Sequence, residues 1–270
     1  MATNKVATTK QGDKLPTSAS GFEDYAGMGM ENVTSSDILI PRLSILQALS
    51  PQVSKKKAEF IEGAEVGMIC DVGTEEIFPD GIVYVPVFFE KQWLEWGPRS
   101  SNIGLAGIHK TDLILQECTW NERRQPVLPN GNYIAETAQM FGINVTAGMR
   151  KSFIPFTSTQ LKKSRRWLSW ATGEELRRSD GTKFTPPLFY RSYDLSTVDE
   201  TNSEGDWSGW KIERGETLAE LAETVGFDLR EVMTDAKAFY DSLVAGAASA
   251  DVASMQPSGE KEVNDAEGAM

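Results

Sequence analysis

The sequence is poor in the residues on which most catalytic and metal sites depend. It contains one histidine, His109, and two cysteines, Cys70 and Cys118, in 270 residues. A Ser-His-Asp or Cys-His arrangement would have to use His109, which lies in a stretch without a recognisable pattern. The two cysteines provide neither a disulfide framework nor a zinc-ligand spacing. Phosphate-binding and dinucleotide-binding glycine loops are also missing, so we expect no cofactor, no metal and no enzymatic activity.

The chain also lacks a run of about 18 apolar residues, which is the length that a membrane-spanning helix needs. Its N-terminal stretch MATNKVATTKQGDK contains no apolar segment of the kind found in secretory signals. These two absences and the low cysteine content favour a protein of a reducing compartment, and we expect it to be cytoplasmic.

One class of active site stays open, namely a nuclease site built from carboxylates and a metal ion. Asp71, Glu90, Glu95 and Asp194 lie in or beside predicted strands. Such a site needs acids that converge in space, and the sequence alone does not show convergence. A metal-dependent DNA-processing enzyme is therefore an alternative prediction.

The net charge of −12 is distributed unevenly along the chain. Residues 150–191 carry ten Lys and Arg against three Asp and Glu, whereas residues 192–270 carry five against eighteen. A basic middle and an acidic end are typical of a nucleic-acid surface followed by an acidic tail. The alternative is an acidic end that serves only solubility.

Composition divides the chain into four parts. Residues 1–36 and 247–270 are rich in small polar residues, which predicts a disordered N-terminal arm and a disordered acidic tail. Residues 37–216 hold the predicted strands and form the candidate nucleic-acid-binding domain. Residues 217–246 hold two amphipathic helices, for which Thr217 and Asp228 are the expected N-caps.

The strongest strand signal is Ile82–Trp96, which mixes β-branched and aromatic residues. Its proline, Pro86, indicates a sheet edge or a bulge. Residues 137–145 and 151–157 predict a hairpin, and further strands are expected over residues 66–72, 188–198 and 207–213. A short helix is expected over residues 42–49 and a polar turn over residues 199–206.

A basic helix is predicted directly after the hairpin. Leu161, Ser164, Leu168 and Ala171 share one face at helical spacing, and the hydroxyl side chains of residues 157–159 are candidate caps. Two strands, a hairpin, a helix and two strands follow an order close to that of an oligonucleotide-binding (OB) barrel. We predict an α+β, mostly β fold: an OB-like five- or six-stranded antiparallel barrel with a helix after the central hairpin, then C-terminal helices and disordered tails.

Cations interleaved with aromatic side chains suit a phosphate backbone whose bases stack on rings. The cations predicted to contact DNA are Lys55, Lys56, Lys57, Lys91, Arg99, Lys162, Lys163, Arg165 and Arg166. The rings predicted to stack on bases are Trp93, Trp96, Trp167 and Tyr193. The alternatives are a solvated lysine loop and a solvated helix face with one core tryptophan.

Four blocks of sequence resemble a group of tailed-phage (podovirus-type) early proteins that are often labelled single-stranded DNA-binding. These blocks, which span residues 37–213, are ILIPRLSILQALSPQV, IVYVPVFFEKQWLEWGPR, STQLKKSRRW and YDLSTVDETNSEGDWSGWKIE. The resemblance implies an OB barrel and an acidic C-terminal tail that recruits replication partners. Residues 259–268 match such a tail, but the chain ends in Ala269-Met270 where proteins of this functional class have a terminal aromatic residue.

Residues and resemblance together predict a sequence-independent single-stranded DNA-binding protein of a bacteriophage, acting in DNA replication and recombination in the host-cell cytoplasm. Its expected partners are single-stranded DNA and, through the acidic tail, phage or host replication or transcription proteins; no membrane is expected. The main alternative is a phage protein that binds a host protein through the basic helix.

Overall fold

The chain divides into two units, Met1–Ile38 and Leu39–Met270. The computed structural model describes Tyr25, Met28, Gly29, residues 39–98, 101, 103–122, 124–202 and 205–246, and Ala250. In the first unit the Met28 N–H donates to the Tyr25 carbonyl at 3.1 Å. The rest of the predicted N-terminal arm, and the predicted acidic tail apart from Ala250, lie outside the described residues.

The second unit contains many strands and few helices. The strands are β1 (Leu43–Ile45), β2 (Ile69–Asp71), β3 (Glu76–Phe78), β4 (Ile82–Trp96), β5 (Leu105–His109), β6 (Thr119–Trp120), β7 (Pro126–Val127), β8 (Tyr133–Asn144), β9 (Arg150–Thr157), β10 (Leu176–Arg177), β11 (Lys183–Phe184), β12 (Arg191–Asn202) and β13 (Gly205–Thr217). The helices are α1 (Leu161–Thr172), α2 (Leu218–Val225) and α3 (Leu229–Val244). No helix among these described residues is long and apolar enough to cross a membrane.

Strand β4 organises the large antiparallel sheet. The sheet runs β13-β12-β4-β8-β7-β6, with β5 also paired to β4 and β9 paired to β8. The register of β4 against β8 shifts between Pro86 and Phe88. Proline has no N–H to give to the ladder, so a bulge forms there, and this confirms the bulge among the two options that Pro86 predicted. Gly142 lies opposite Pro86, and a Cβ on it would lie 2.3 Å from the Val85 carbonyl oxygen.

The sheet carries an apolar core on each face. On one face, α2 and α3 cover a cluster that includes Trp96, Phe141 and Phe239. On the other face, Trp167 of α1 is fully buried in a cluster that includes Tyr84. A buried tryptophan removes about 150–250 Å² from water, so Trp167 alone contributes up to about 4–6 kcal/mol of hydrophobic stabilisation.

The large sheet curls into a half-barrel, and the segment around β1 links its two ends. Arg42, just before β1, forms a parallel bridge with Phe153 of β9. The Gln47 side-chain amide donates to the Ser208 carbonyl of β13 at 2.8 Å and accepts from the Ser208 N–H at 3.0 Å. Thus β9 and β13, which are far apart in the sheet order, are joined through residues 42–47.

Several sequence predictions are confirmed and several are wrong. The structure confirms the bounds of β4 and the presence of the β8–β9 hairpin and of the basic helix. It also confirms the two predicted N-caps, Thr217 and Asp228, and Thr217 forms a capping box with Glu220. The short helix predicted over residues 42–49 is wrong, because Leu43 and Ile45 point inward with the period of two of a strand. The turn predicted over residues 199–206 is largely strand, and a 3-10 turn rather than a side-chain cap starts α1.

Candidate nucleic-acid interface

Helix α1 presents a row of cations on its outer face. Its buried positions are Ser164, Trp167 and Ala171, which share one side of the helix at helical spacing. The exposed positions Lys162, Arg165 and Arg166 fall on the other side, one turn apart. The helix contains no carboxylate that could neutralise this row.

Two of the predicted cations share one carboxylate. The Arg165 guanidinium lies 3.1 Å from Glu136 Oε1 on β8, and the Lys91 ammonium lies 3.2 Å from the same oxygen. Arg165 keeps 66% of its side chain exposed. The three residues together therefore carry one net positive charge at the surface, next to α1.

Lys163 does not belong to the exposed row. Its ammonium lies 2.7 Å from Glu200 on β12, and only 16% of the side chain is exposed. Burial opposes ionisation of Glu200, but the ion pair with Lys163 and the hydrogen bonds from Gln160 and Trp207 outweigh burial and lower the pKa of this carboxyl. Lys163 thus fastens α1 to the β12–β13 hairpin, and its predicted contact with DNA would require that pair to open.

A half-buried tryptophan, Trp170, borders the cationic row. The Arg166 guanidinium carbon lies 4.7 Å from the centre of a Trp170 ring, and that of Arg214 lies 5.7 Å from it. Arg214 also donates to the Trp170 carbonyl at 3.3 Å. Arg214 and Trp170 were not among the predicted contacts, since Arg214 belongs to β13 and comes near α1 only in the fold.

The four rings predicted to stack on bases are in the core. Their exposed fractions are 7% for Trp93, 5% for Trp96, 0% for Trp167 and 1% for Tyr193. A ring must expose a face to stack on a base, so the stacking prediction at these positions is corrected: in this structure they pack the protein. Trp167 meets Tyr193 edge-on at 5.2 Å and is covered by the sheet.

The remaining predicted cations have different surroundings. Lys55, Lys56 and Lys57 are exposed in the loop after the 3-10 turn Pro51–Val53. Gln47, eight residues before Lys55, binds Ser208, while Gln160 at the start of α1 accepts from the Trp210 N–H at 3.0 Å. The segment that leads to the lysine loop and the start of α1 are therefore anchored two residues apart on β13. Arg99 lies outside the described residues.

The single histidine belongs to a polar cluster on β4 and β5. His109 Nε2 lies 3.0 Å from Glu95 Oε2, while the Asn132 amide donates to Glu95 Oε1 at 2.5 Å. The hydrogen bond from Asn132, with those from His109 and Asn130, holds the pKa of Glu95 below its usual value. Within the described part of the chain, no three His, Cys, Asp or Glu side chains are grouped closely enough to hold a metal ion.

Fold and surface define a mostly β, antiparallel protein whose half-barrel carries a basic helix on one face. The chain belongs to the family described as Pam3 phage gp34-like protein, whose model matches residues 9–249. The predicted membership of a phage protein family is thereby confirmed. No curated protein and no solved structure gives a significant match.

Proposed function

We propose that this phage-family protein binds single-stranded DNA without sequence preference, in phage DNA replication and recombination. The observation that carries the proposal is the outer face of α1. Lys162, Arg165 and Arg166 stand in a row there, on a helix without carboxylates. Neither Lys162 nor Arg166 forms an ion pair with any described residue, so both charges are available to phosphates.

The strand pairing supports an OB-like barrel as the finer description of the fold. β4 pairs with β8 and β12, β8 with β9, and β12 with β13, while α1 lies between β9 and β12 in sequence. An OB barrel has five strands, is partly open, and binds oligonucleotides on one sheet face and its flanking loops. The sheet here has eight strands, and the five just named pair in that order. In the proposed barrel, β1 lies at the opening, between β9 and β13.

The test is a salt titration of oligo-dT binding by two double variants with equal charge change. Lys162→Gln with Arg166→Gln removes two cations from the α1 row. Arg230→Gln with Lys237→Gln removes two exposed cations from α3, which covers the opposite face of the sheet. Fluorescence anisotropy of labelled oligo-dT between 50 and 300 mM salt, chosen to span about one decade, gives the slope of log K against log salt.

The slope should become shallower by about 0.7 for each single-strand phosphate that the protein no longer neutralises. The slope of the α1 variant should therefore differ from that of wild type by about 1.4. The slope of the α3 variant should equal that of wild type. Wild-type binding that ignores salt, or an equal change of slope in both variants, would overturn the proposal. An equal change would mean that overall charge, and not the α1 row, governs binding.

A second candidate is docking on a host protein. The sequence predicted such docking through the basic helix, whereas exposed apolar residues on α3 favour that helix as the surface. Met233, Tyr240 and Val244 are each more than 40% exposed. Capture of a host protein that persists after nuclease treatment, and that is abolished by Met233→Ser but retained by the α1 variant, would support this candidate over DNA binding.

A further inference from the structure

The connection between β4 and β8 ends in a small hairpin that exposes a tryptophan. Trp120 on β6 lies opposite Pro126 on β7, and 64% of Trp120 is exposed. It is the most exposed of the described tryptophans. An indole in water is poorly placed for stability, but it offers a flat face to a partner.

Hydrogen bonds join the two ends of the turn that follows Trp120. The Asn121 N–H donates to the Gln125 carbonyl at 3.0 Å, and the Gln125 N–H donates to Asn121 Oδ1 at 2.9 Å. Arg124 adopts a left-handed φ of 56° within the turn and is exposed.

Strand alternation places Trp120 on the same face of the sheet as α1. Val127 is opposite Tyr133, so Pro126 and Trp120 share the face of the next residue, Ile134, and of Glu136. Glu136 is the residue that binds Arg165 of α1. Two strand spacings and two residues of rise put Trp120 roughly 12 Å from Glu136 between Cα atoms.

We infer that Trp120 is a base-stacking residue for single-stranded DNA whose phosphates lie along α1. This inference rests on the proposed function. It assigns the ring contact to the hairpin, because the rings first expected to stack are buried, and it makes one continuous path from the α1 cations to the hairpin tip.

The test compares Trp120→Ala with Trp120→Phe and with Leu113→Ala in oligo-dT titrations. Loss of a stacked base should weaken binding by about 5- to 150-fold in Trp120→Ala, while Trp120→Phe keeps most of the affinity. Leu113 is similarly exposed, at 61%, in the same connection, so Leu113→Ala should bind within twofold of wild type. Circular dichroism and melting of each variant check the fold.

A second measurement follows DNA binding on the wild-type sequence and uses a variant only to assign the signal. Labelling with 5-fluorotryptophan marks all seven tryptophans, and the ¹⁹F resonance missing from Trp120→Phe belongs to Trp120. That resonance should shift on adding oligo-dT. Suppose that wild type binds oligo-dT, that the α1 variant binds it more weakly, and that neither Trp120→Ala binding nor the Trp120 resonance changes. The stacking inference is then wrong, while the proposed function stands. If wild type does not bind oligo-dT, the proposed function fails as well.

Discussion

Replacing Glu200 by glutamine should destabilise the fold at neutral pH while leaving DNA binding intact. Glu200 accepts hydrogen bonds from Gln160 at 2.7 Å and from the Trp207 indole N–H at 2.8 Å, and it pairs with Lys163 at 2.7 Å. The carboxylate thereby ties the start of α1 to the β12–β13 hairpin. It lies off the exposed row of α1 cations, so its replacement removes no proposed phosphate contact.

The expected loss of stability follows from the contacts of Glu200 that glutamine retains and those that it loses. The amide has the shape of the carboxylate, and its oxygen can still accept from both Gln160 and Trp207, which donate to one carboxylate oxygen. Its NH2 group then faces Lys163, whose side chain is 16% exposed and which no longer has a counter-charge. Hydrogen bonds to charged groups contribute about 1.5–3 kcal/mol each. We therefore expect Glu200→Gln to lower the free energy of unfolding by about 2–3 kcal/mol, which lowers Tm by about 4–12 °C for a body of this size.

The pH dependence has a definite sign. The pKa of Glu200 in the folded chain is lower than its ordinary value of 4.5, so its stabilisation is fully present above that value and is lost as the pH falls through the folded pKa. Urea unfolding followed by circular dichroism should show a constant gap between wild type and Glu200→Gln from pH 8 to 5. The gap should shrink at lower pH, where both side chains are neutral.

The control is Asp241→Asn, which breaks the exposed Lys237–Asp241 pair, with side chains 71% and 55% exposed. Such surface pairs contribute about 0.3–0.5 kcal/mol. Equal stability of Glu200→Gln and wild type at pH 7, or a gap that persists undiminished at low pH, would refute the reasoning about this carboxylate.

Two further predictions concern β8 and the buried thiol. Gly142→Ala should cost about 3 kcal/mol or more in urea unfolding, because the new Cβ would lie 2.3 Å from a backbone carbonyl. Gly148→Ala, with φ of 66° and no atom within 4 Å, should cost only about 1–2 kcal/mol; equal costs would contradict the steric argument. Burial raises the pKa of Cys70 to about 11. A thiol reagent at pH 8 should therefore modify Cys70 only after the protein unfolds, as located by peptide mapping. Rapid labelling of Cys70 in the folded protein would count against its burial.

The sequence predicts secondary structure well where a residue pattern extends over many positions. The bounds of β4 follow from its run of β-branched and aromatic residues, and the α1 stripe follows from helical spacing. The same spacing also places Trp167 between Ser164 and Ala171 on the buried side, so its burial could have been read from the helix pattern. The small strands β6 and β7 have two residues each, too few for any periodicity, so no pattern in the sequence points to the exposed ring of Trp120.

Contacts between residues that are far apart in the sequence could not be predicted from the sequence alone. Arg214 meets Trp170, and Glu136 meets Arg165, only because β13 and β8 flank α1. Glu136 also meets Lys91, because β8 pairs with β4. A count of cations along the chain treats all of them as free. The fold shows instead that some are matched by carboxylates and that Lys162 and Arg166 are not matched by any described one.

An acidic chain can keep a basic face only if its carboxylates are directed elsewhere. Among the described residues, Glu200 and Glu136 are the acids that pair with α1 cations, Lys163 for the first and Arg165 for the second. The buried Trp167 packs α1 against the sheet, and Glu200 ties its first turn to the β12–β13 hairpin. The orientation of α1 therefore does not depend on the exposed cations Lys162 and Arg166. Variants of Lys162 and Arg166 should for this reason change DNA affinity with little change in stability, whereas variants of Glu200 should do the reverse.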